Sequence, residues 1–377
     1  MANVQGCHMV GSVPFANTEA VLRQCPAALP HRLKRIPDGE TGPRNYFTLG
    51  QMAVFRASPM VLTQFVDNKP LAANDDTPEE IEAGLKRLQD AGPLETGYDV
   101  AAIESYAVFK ALKDEGVLDR GTRFQVCLPT PPNALSPLVQ KSFQAKLEPM
   151  YTDALYRAME NIQRQIPHGE LAIQIDLAVD TAYWERTLYE PWFGGGDFEA
   201  IKNYIVEYIV RMIGQIDQDV EVGIHNCYGE SAKPLSTPRS SEVLTRFVGD
   251  MANRHWLEPR DLGVIVDRAL RIYARTPHKI NYFHLPVAKS AMENLDAYFA
   301  PLAELLPSLR EHATELYLGV VHHSDMAATT TRMIEAAGKV LDGYPFGLAT
   351  ECGWGRTPRE KIEEIMEISR EMSRPVV

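Results

Sequence analysis

The sequence predicts an α/β chain folded as a single (β/α)8 TIM barrel over residues 1–377, with loop insertions at the C-terminal face of its sheet. Three observations predict it. Short apolar runs alternate with longer amphipathic stretches, the pattern of a parallel sheet wrapped by helices. Eight such runs occur, near 5–10, 32–36, 123–128, 171–176, 220–225, 279–284, 315–321 and 345–350. A chain of 377 residues, 45% hydrophobic and 23% charged, can fill one large core, and barrels of this kind run past ~250 residues as one unit.

Taken in order, the strands read as buried on both faces. Leu171-Ala-Ile-Gln-Ile175 is mostly apolar, as a covered parallel strand should be. Val220 to Ile224 is apolar and β-branched after the polar turn Asp217-Gln-Asp219. The helices carry start signals. Thr77 caps a helix from Pro78 to Ala91, with proline in the first turn. Further helices are predicted over 198–216 and 324–341. The last is expected to start at Thr357 and Pro358 and to carry Ile362, Ile365, Met366 and Ile368 on one face. Residues 41–76 and 228–258 exceed what a barrel needs, and are read as insertions. Trp192-Phe-Gly-Gly-Gly196 is either a lid hinge or a plain loop.

Composition excludes several classes. A net charge of −12 disfavours nucleic acid, whose phosphates need basic clusters. No apolar run reaches the ~20 residues that span a bilayer, and the opening residues lack the pattern of a signal peptide. Five scattered cysteines (Cys7, Cys25, Cys127, Cys227, Cys352) form no disulfide framework and suit a reducing cytosol. The expectation is a cytoplasmic protein with a small-molecule substrate, no nucleic-acid or membrane partner, and a homodimer as the assembly to test for.

Chemically useful residues gather just after the strands, which a closed barrel brings to one rim. They include Ser12, Asp38, Glu40, Asn133, Asp176, His225, Cys227, His284, His322, His323, Glu351 and Cys352. His225 and Cys227 are two apart on an extended chain and so face the same side. Imidazole and thiolate converging on one point suit an ion such as zinc; core packing is the competing reading for an isolated His-x-Cys.

Six motifs occur in the order found in a known family: Val10-Gly-Ser12, Pro37-Asp-Gly-Glu-Thr-Gly-Pro-Arg44, Ile173-Gln-Ile-Asp176, Ile224-His-Asn-Cys-Tyr228, Gly319-Val-Val-His-His-Ser324 and Thr350-Glu-Cys-Gly353. Over about 5–370 the chain resembles the catalytic barrel of cobalamin-independent methionine synthase, and more closely the proteins grouped with it and with uroporphyrinogen decarboxylase. The resemblance implies a Zn2+ site. His225, Cys227 and Cys352 fall on three ligands, and His284 falls where the methionine synthases have a glutamate ligand. It places Val10, Gly11 and Ser12 at the substrate carboxylate of homocysteine, and Glu40 and Asp176 at its ammonium. His323 matches the proton donor. The pterin half of the site is not matched: Ala182 stands at the folate-contacting glutamate, and the stacking tryptophan is not present near Leu138.

The implied chemistry is alkyl or methyl transfer to sulfur, or making and breaking of a C–S bond, with zinc activating a thiol or thioether and without folate. The substrate is expected to be sulfur-containing and anionic or zwitterionic. His323 and Asp176 are the expected catalytic residues. Val10, Gly11, Ser12, Glu40, Arg44 and Asn133 are the expected substrate contacts, and His225, Cys227, His284 and Cys352 the metal ligands. Arg44 either binds an anionic group or pairs with a rim carboxylate. Two alternatives stay open: a metal-free lyase or decarboxylase using Arg35, Arg44 and Asp176, and a non-catalytic binding barrel.

Overall fold

A computed structural model describes residues 2–63, 65–66, 69–70, 76–186, 190–228, 259–322 and 326–376. Eight parallel strands form the barrel: β1 (Val4–Cys7), β2 (Arg35–Pro37), β3 (Arg123–Pro129), β4 (Leu171–Leu177), β5 (Glu221–Asn226), β6 (Tyr282–Pro286), β7 (Glu315–Gly319) and β8 (Phe346–Ala349). Each pairs with its sequence neighbour from β2 to β8, and β8 pairs with β1. The ring closes between β1 and β2 through a single bridge, Cys7 to Leu33. The eight strands lie within about three residues of the apolar runs that predicted them. A principal helix follows each strand: α1 (Thr18–Ala28), α2 (Tyr98–Asp114), α3 (Lys141–Gln165), α4 (Phe198–Ile213), α5 (Gly263–Tyr273), α6 (Leu302–His312), α7 (Met326–Leu341) and α8 (Ile362–Met372).

Alternation along the strands divides the two sides of the sheet. In β4 the outward side chains Leu171, Ile173, Ile175 and Leu177 join the large core between sheet and helices. The inward set is polar. Gln125, Gln174, Tyr282 and Arg35 meet inside the barrel, with Gln125 Nε2 3.2 Å from Gln174 Oε1 and the Arg35 guanidinium 4.4 Å above the Tyr282 ring. This differs from the Val/Ile/Leu filling usual in such barrels. Large rings find room because glycine faces them: a Cβ at Gly223 would come within 1.8 Å of Tyr282, and one at Gly347 within 2.4 Å of Tyr317. At the floor Arg35, 3% exposed, bridges Glu221 (2.5 Å) and Glu315 (2.9 Å). Arg35 is therefore tied at the strands' N-terminal end of the barrel.

The helix signals work where local hydrogen bonds complete them. Thr77 and Glu80 form a reciprocal capping box at the start of helix Pro78–Asp90. Asp197 caps α4 through Ala200 N (3.0 Å), just after three glycines that all have positive φ. There a Cβ at Gly194 would strike Ile201 at 2.4 Å, so the turn requires glycine. Trp192 and Phe193 are held, by Glu148 (2.7 Å) and by stacking on Tyr204. The last helix departs from expectation. Pro358 is extended (ψ 128°), a 3-10 turn follows over Arg359–Lys361, and the α-helix starts only at Ile362.

Residues 41–76 begin as a 3-10 segment, Gly42–Phe55, where Gly42, Pro43 and Gly50 oppose a regular α-helix. Phe55 and Val61 pack with Leu88, Leu135, Phe143 and Tyr151 in a second, smaller core. Of the other insertion, 229–258 lies outside the described residues. No described helix is long and apolar enough to cross a membrane.

Candidate metal centre

Parallel register sets the site. In β5, His225 stands beside Asp176 of β4 and His284 of β6, so three inward side chains share one level near the strand ends. The chain runs on to Cys227, whose amide donates to Leu177 O (2.7 Å) and holds the turn against β4. Cys352 arrives from across the ring, in the turn after β8. That turn is fixed by Thr350 Oγ1 donating to Cys352 O (2.6 Å) and Trp354 Nε1 donating to Thr350 Oγ1 (2.8 Å).

One ring nitrogen of His225 and the sulfurs of Cys227 and Cys352 lie within 4.8 Å of one another, and the two sulfurs are 3.3 Å apart. Two thiols and an imidazole this close suit zinc, whose tetrahedral bonds of ~2.0–2.3 Å need only small shifts of the three side chains, the two sulfurs moving slightly apart. Burial, with His284, His8 and Arg356 nearby, holds the His225 imidazole well below its ordinary value, so it is neutral and able to ligate. Arg356 Nη2 donates to Cys352 Sγ (3.4 Å). Its guanidinium favours the thiolate form of a ligating cysteine.

His284, the fourth expected ligand, stands beside His225 in the sheet. It is fully buried and outside the three-residue group. Its Nδ1 lies 2.7 Å from His225 Nδ1, and its Nε2 lies 2.9 Å from Thr350 O.

A second group adjoins the first: Glu40, Cys127 and Asp176 also offer ligand atoms within 4.8 Å of one another. Gln174 Nε2 donates to Asp176 Oδ1 (2.8 Å) and to Val10 O (2.7 Å). Burial, and then Glu40 beside it, push the Asp176 carboxyl well above the usual range. Burial and Asp38 raise Glu40 to about 7, against the pull of Arg44 and Arg356. Gly11 packs on this pair, its absent Cβ 3.4 Å from Glu40 Oε1. Ser12 ties the first loop to the last: its Oγ accepts from Gly355 N (3.2 Å) and its O from Trp354 N (2.6 Å).

The remaining expected residues fall elsewhere. Arg44 pairs with the rim carboxylate Asp38 (2.6 Å) and lines the same cavity as Glu40 and Cys127. That cavity, about 250 Å³, also reaches Thr96 and Tyr98. Asn133 is buried and engaged from both ends. Its Nδ2 donates to Thr130 Oγ1, Asp176 O and Asp180 Oδ2, and its Oδ1 accepts from Ala178 N and Val179 N. It fastens the segment after β3 to the segment after β4. His323 lies outside the described residues; its neighbour His322 is buried against Glu351.

Three site residues escaped sequence reasoning. Cys127 reads as one more core cysteine, but an odd-numbered place on β3 turns it inward. Arg356 follows Cys352 by four residues in a glycine-rich turn, where no periodicity marks it. His8 sits just past β1 and meets Gln174 Oε1 (2.8 Å) at the barrel centre.

No family model matches the chain, and no curated protein matches it. A protein of Listeria monocytogenes, provisionally named a vitamin-B12-independent methionine synthase, superposes with a TM-score of 0.50 at 13% identity, covering 99% of each chain. An endo-1,4-β-D-mannanase of Thermotoga petrophila superposes at 0.41 and 11% identity, covering 93% of this chain and 88% of its own. The Listeria likeness, distant as it is in sequence, is one of fold: the two chains share the α/β barrel over their full length.

Proposed function

We propose that this chain is a zinc-dependent enzyme that activates the sulfur of a small amino thiol or thioether for alkyl transfer or C–S bond making and breaking. The observation that carries it is the meeting of His225, Cys227 and Cys352 from two strand ends, beside a pair of acids, the buried Asp176 and the half-buried Glu40. Zinc held by these three would keep a substrate sulfur as thiolate at neutral pH, the form that attacks carbon. Glu40 and Asp176 then receive the substrate's ammonium, whose charge replaces the protons that burial keeps on them. The main chain of Val10–Ser12 borders that pair and is proposed to take the carboxylate. His323 is the proposed proton donor, and the provisional name of the Listeria structure agrees with this class of chemistry.

Metal analysis by plasma mass spectrometry tests the reading. About one zinc per chain is expected in the purified protein, and none in Cys227→Ser/Cys352→Ser. Failure to bind zinc even after reconstitution would sink it and move the search to metal-free lyase chemistry.

A further inference from the structure

We propose that His284 is a positioning residue for the metal centre rather than its fourth ligand, leaving three protein ligands and an open position for the substrate sulfur. The proposal rests on the zinc reading above and concerns the chain's own hydrogen bonds.

Thr350 O can only accept, so the His284 nitrogen 2.9 Å from it, Nε2, carries a proton. A neutral His284 then presents a lone pair at Nδ1. His225 Nδ1, 2.7 Å away, must be the donor of that contact. A neutral His225 with its proton on Nδ1 has its own lone pair on Nε2, the nitrogen left to ligate. The chain Thr350 O, His284, His225 thus selects one tautomer and one ring orientation, as an outer carboxylate or carbonyl does behind many zinc-bound histidines. A His284 that ligated through Nδ1 would lose its contact with His225.

The surroundings fix His284 for this task. It is 0% exposed, its register partner in the sheet is His225, and Asn226 Nδ2 donates to its carbonyl oxygen (3.1 Å). Asn226 is fixed in turn by the buried Arg268, which donates to Asn226 Oδ1 (2.6 Å). The resulting centre carries two thiolates and one neutral imidazole. Bound to a divalent ion it is neutral, and arrival of a third thiolate is not opposed by a fourth anionic ligand.

Zinc K-edge X-ray absorption on the zinc-loaded full chain counts the ligands, and competition with a chelator measures affinity. Two sulfurs and one imidazole are expected in the wild type. His284→Ala should keep that set and bind zinc about 10–100-fold more weakly. His284→Gln, whose amide can accept from His225 and donate to Thr350, should stay near wild type, although an amide oxygen is a poor zinc ligand. Two imidazoles in the wild type, or unchanged affinity in a folded His284→Ala, would overturn the proposal alone. A wild type that binds no zinc overturns both this and the proposed function. If His284→Ala does not fold, the wild-type ligand count and the affinity of His284→Gln decide.

Discussion

Glu40 shows how much the site asks of one residue. Its backbone is left-handed (φ 44°) in a turn held by Asp38 Oδ1 accepting from Glu40 N (2.8 Å), a conformation that costs a non-glycine residue ~1 kcal/mol or more. Its carboxyl, raised by burial and Asp38 to about 7, is mostly protonated at pH 6. An ammonium bound beside it favours the ionised form, so binding should release a proton below pH 7, and the release should fade as pH rises through 7. Calorimetry with cysteine or homocysteine at pH 6, in buffers of different ionisation heat, reads this directly. Glu40→Gln should abolish the Glu40 share of the release; an unchanged release would remove Glu40 from the ammonium site. The sequence exposed Glu40 through its motif, but not its strained backbone or its altered acidity, which burial and Asp38 impose against Arg44 and Arg356 only once the loops are assembled.

At the scale of strands and helices, local patterns were readable where a single element decides the outcome. Thr77 and Glu80 close their capping box within four residues, and the apolar runs mark the strands because both faces are covered. What the pattern could not show is the pairing of big with small across the barrel. Gly223 looks like a weak point in β5, yet it makes room for Tyr282 of the neighbouring strand. Gly223→Ala should therefore lower stability by about 1–3 kcal/mol or more, since the ring or the backbone must move. Urea denaturation of Gly223→Ala, Tyr282→Ala and the double variant is the check. The double variant should cost clearly less than the sum of the singles, and simple additivity would disprove the pairing. The hydrogen bonds of Asn133 were hidden from the sequence for a related reason. Apart from Thr130 in its own segment, its side-chain partners come from β4 and the residues just after it, which no local spacing announces.

For the molecule as a whole, the floor of the barrel carries an electrostatic contribution to stability that depends on pH. Burial works to raise the Glu315 carboxyl, but Arg35 and Lys34 outweigh it and hold it down to about 2, against 4.5 in its ordinary state. A depressed folded value means that the stabilisation is present above pH 4.5 and is lost as pH falls through about 2. Glu315→Gln should accordingly be less stable than wild type at pH 6, with the gap narrowing between pH 4.5 and 2. Denaturant midpoints across that range test it, and a gap independent of pH would exclude the Arg35 pairing as its source. The overall barrel was legible because alternation and strand count report a property of the entire chain. The floor was not: Arg35 sits in a short basic run that resembles a solvated strand entry, and its partners Glu221 and Glu315 are 186 and 280 residues away.

That floor also governs traffic. With Arg35, its two glutamates and the rings of Tyr282 and Tyr317 packed across the barrel, a molecule at the sulfurs of Cys227 and Cys352 occupies a cul-de-sac. It entered from the rim and leaves by the rim. Where two reactants meet there, they use one doorway, and the departing product stands in the path of the next arrival. Order of entry and exit then becomes a property of the architecture, set by which partner sits deeper, before any question of relative affinity arises.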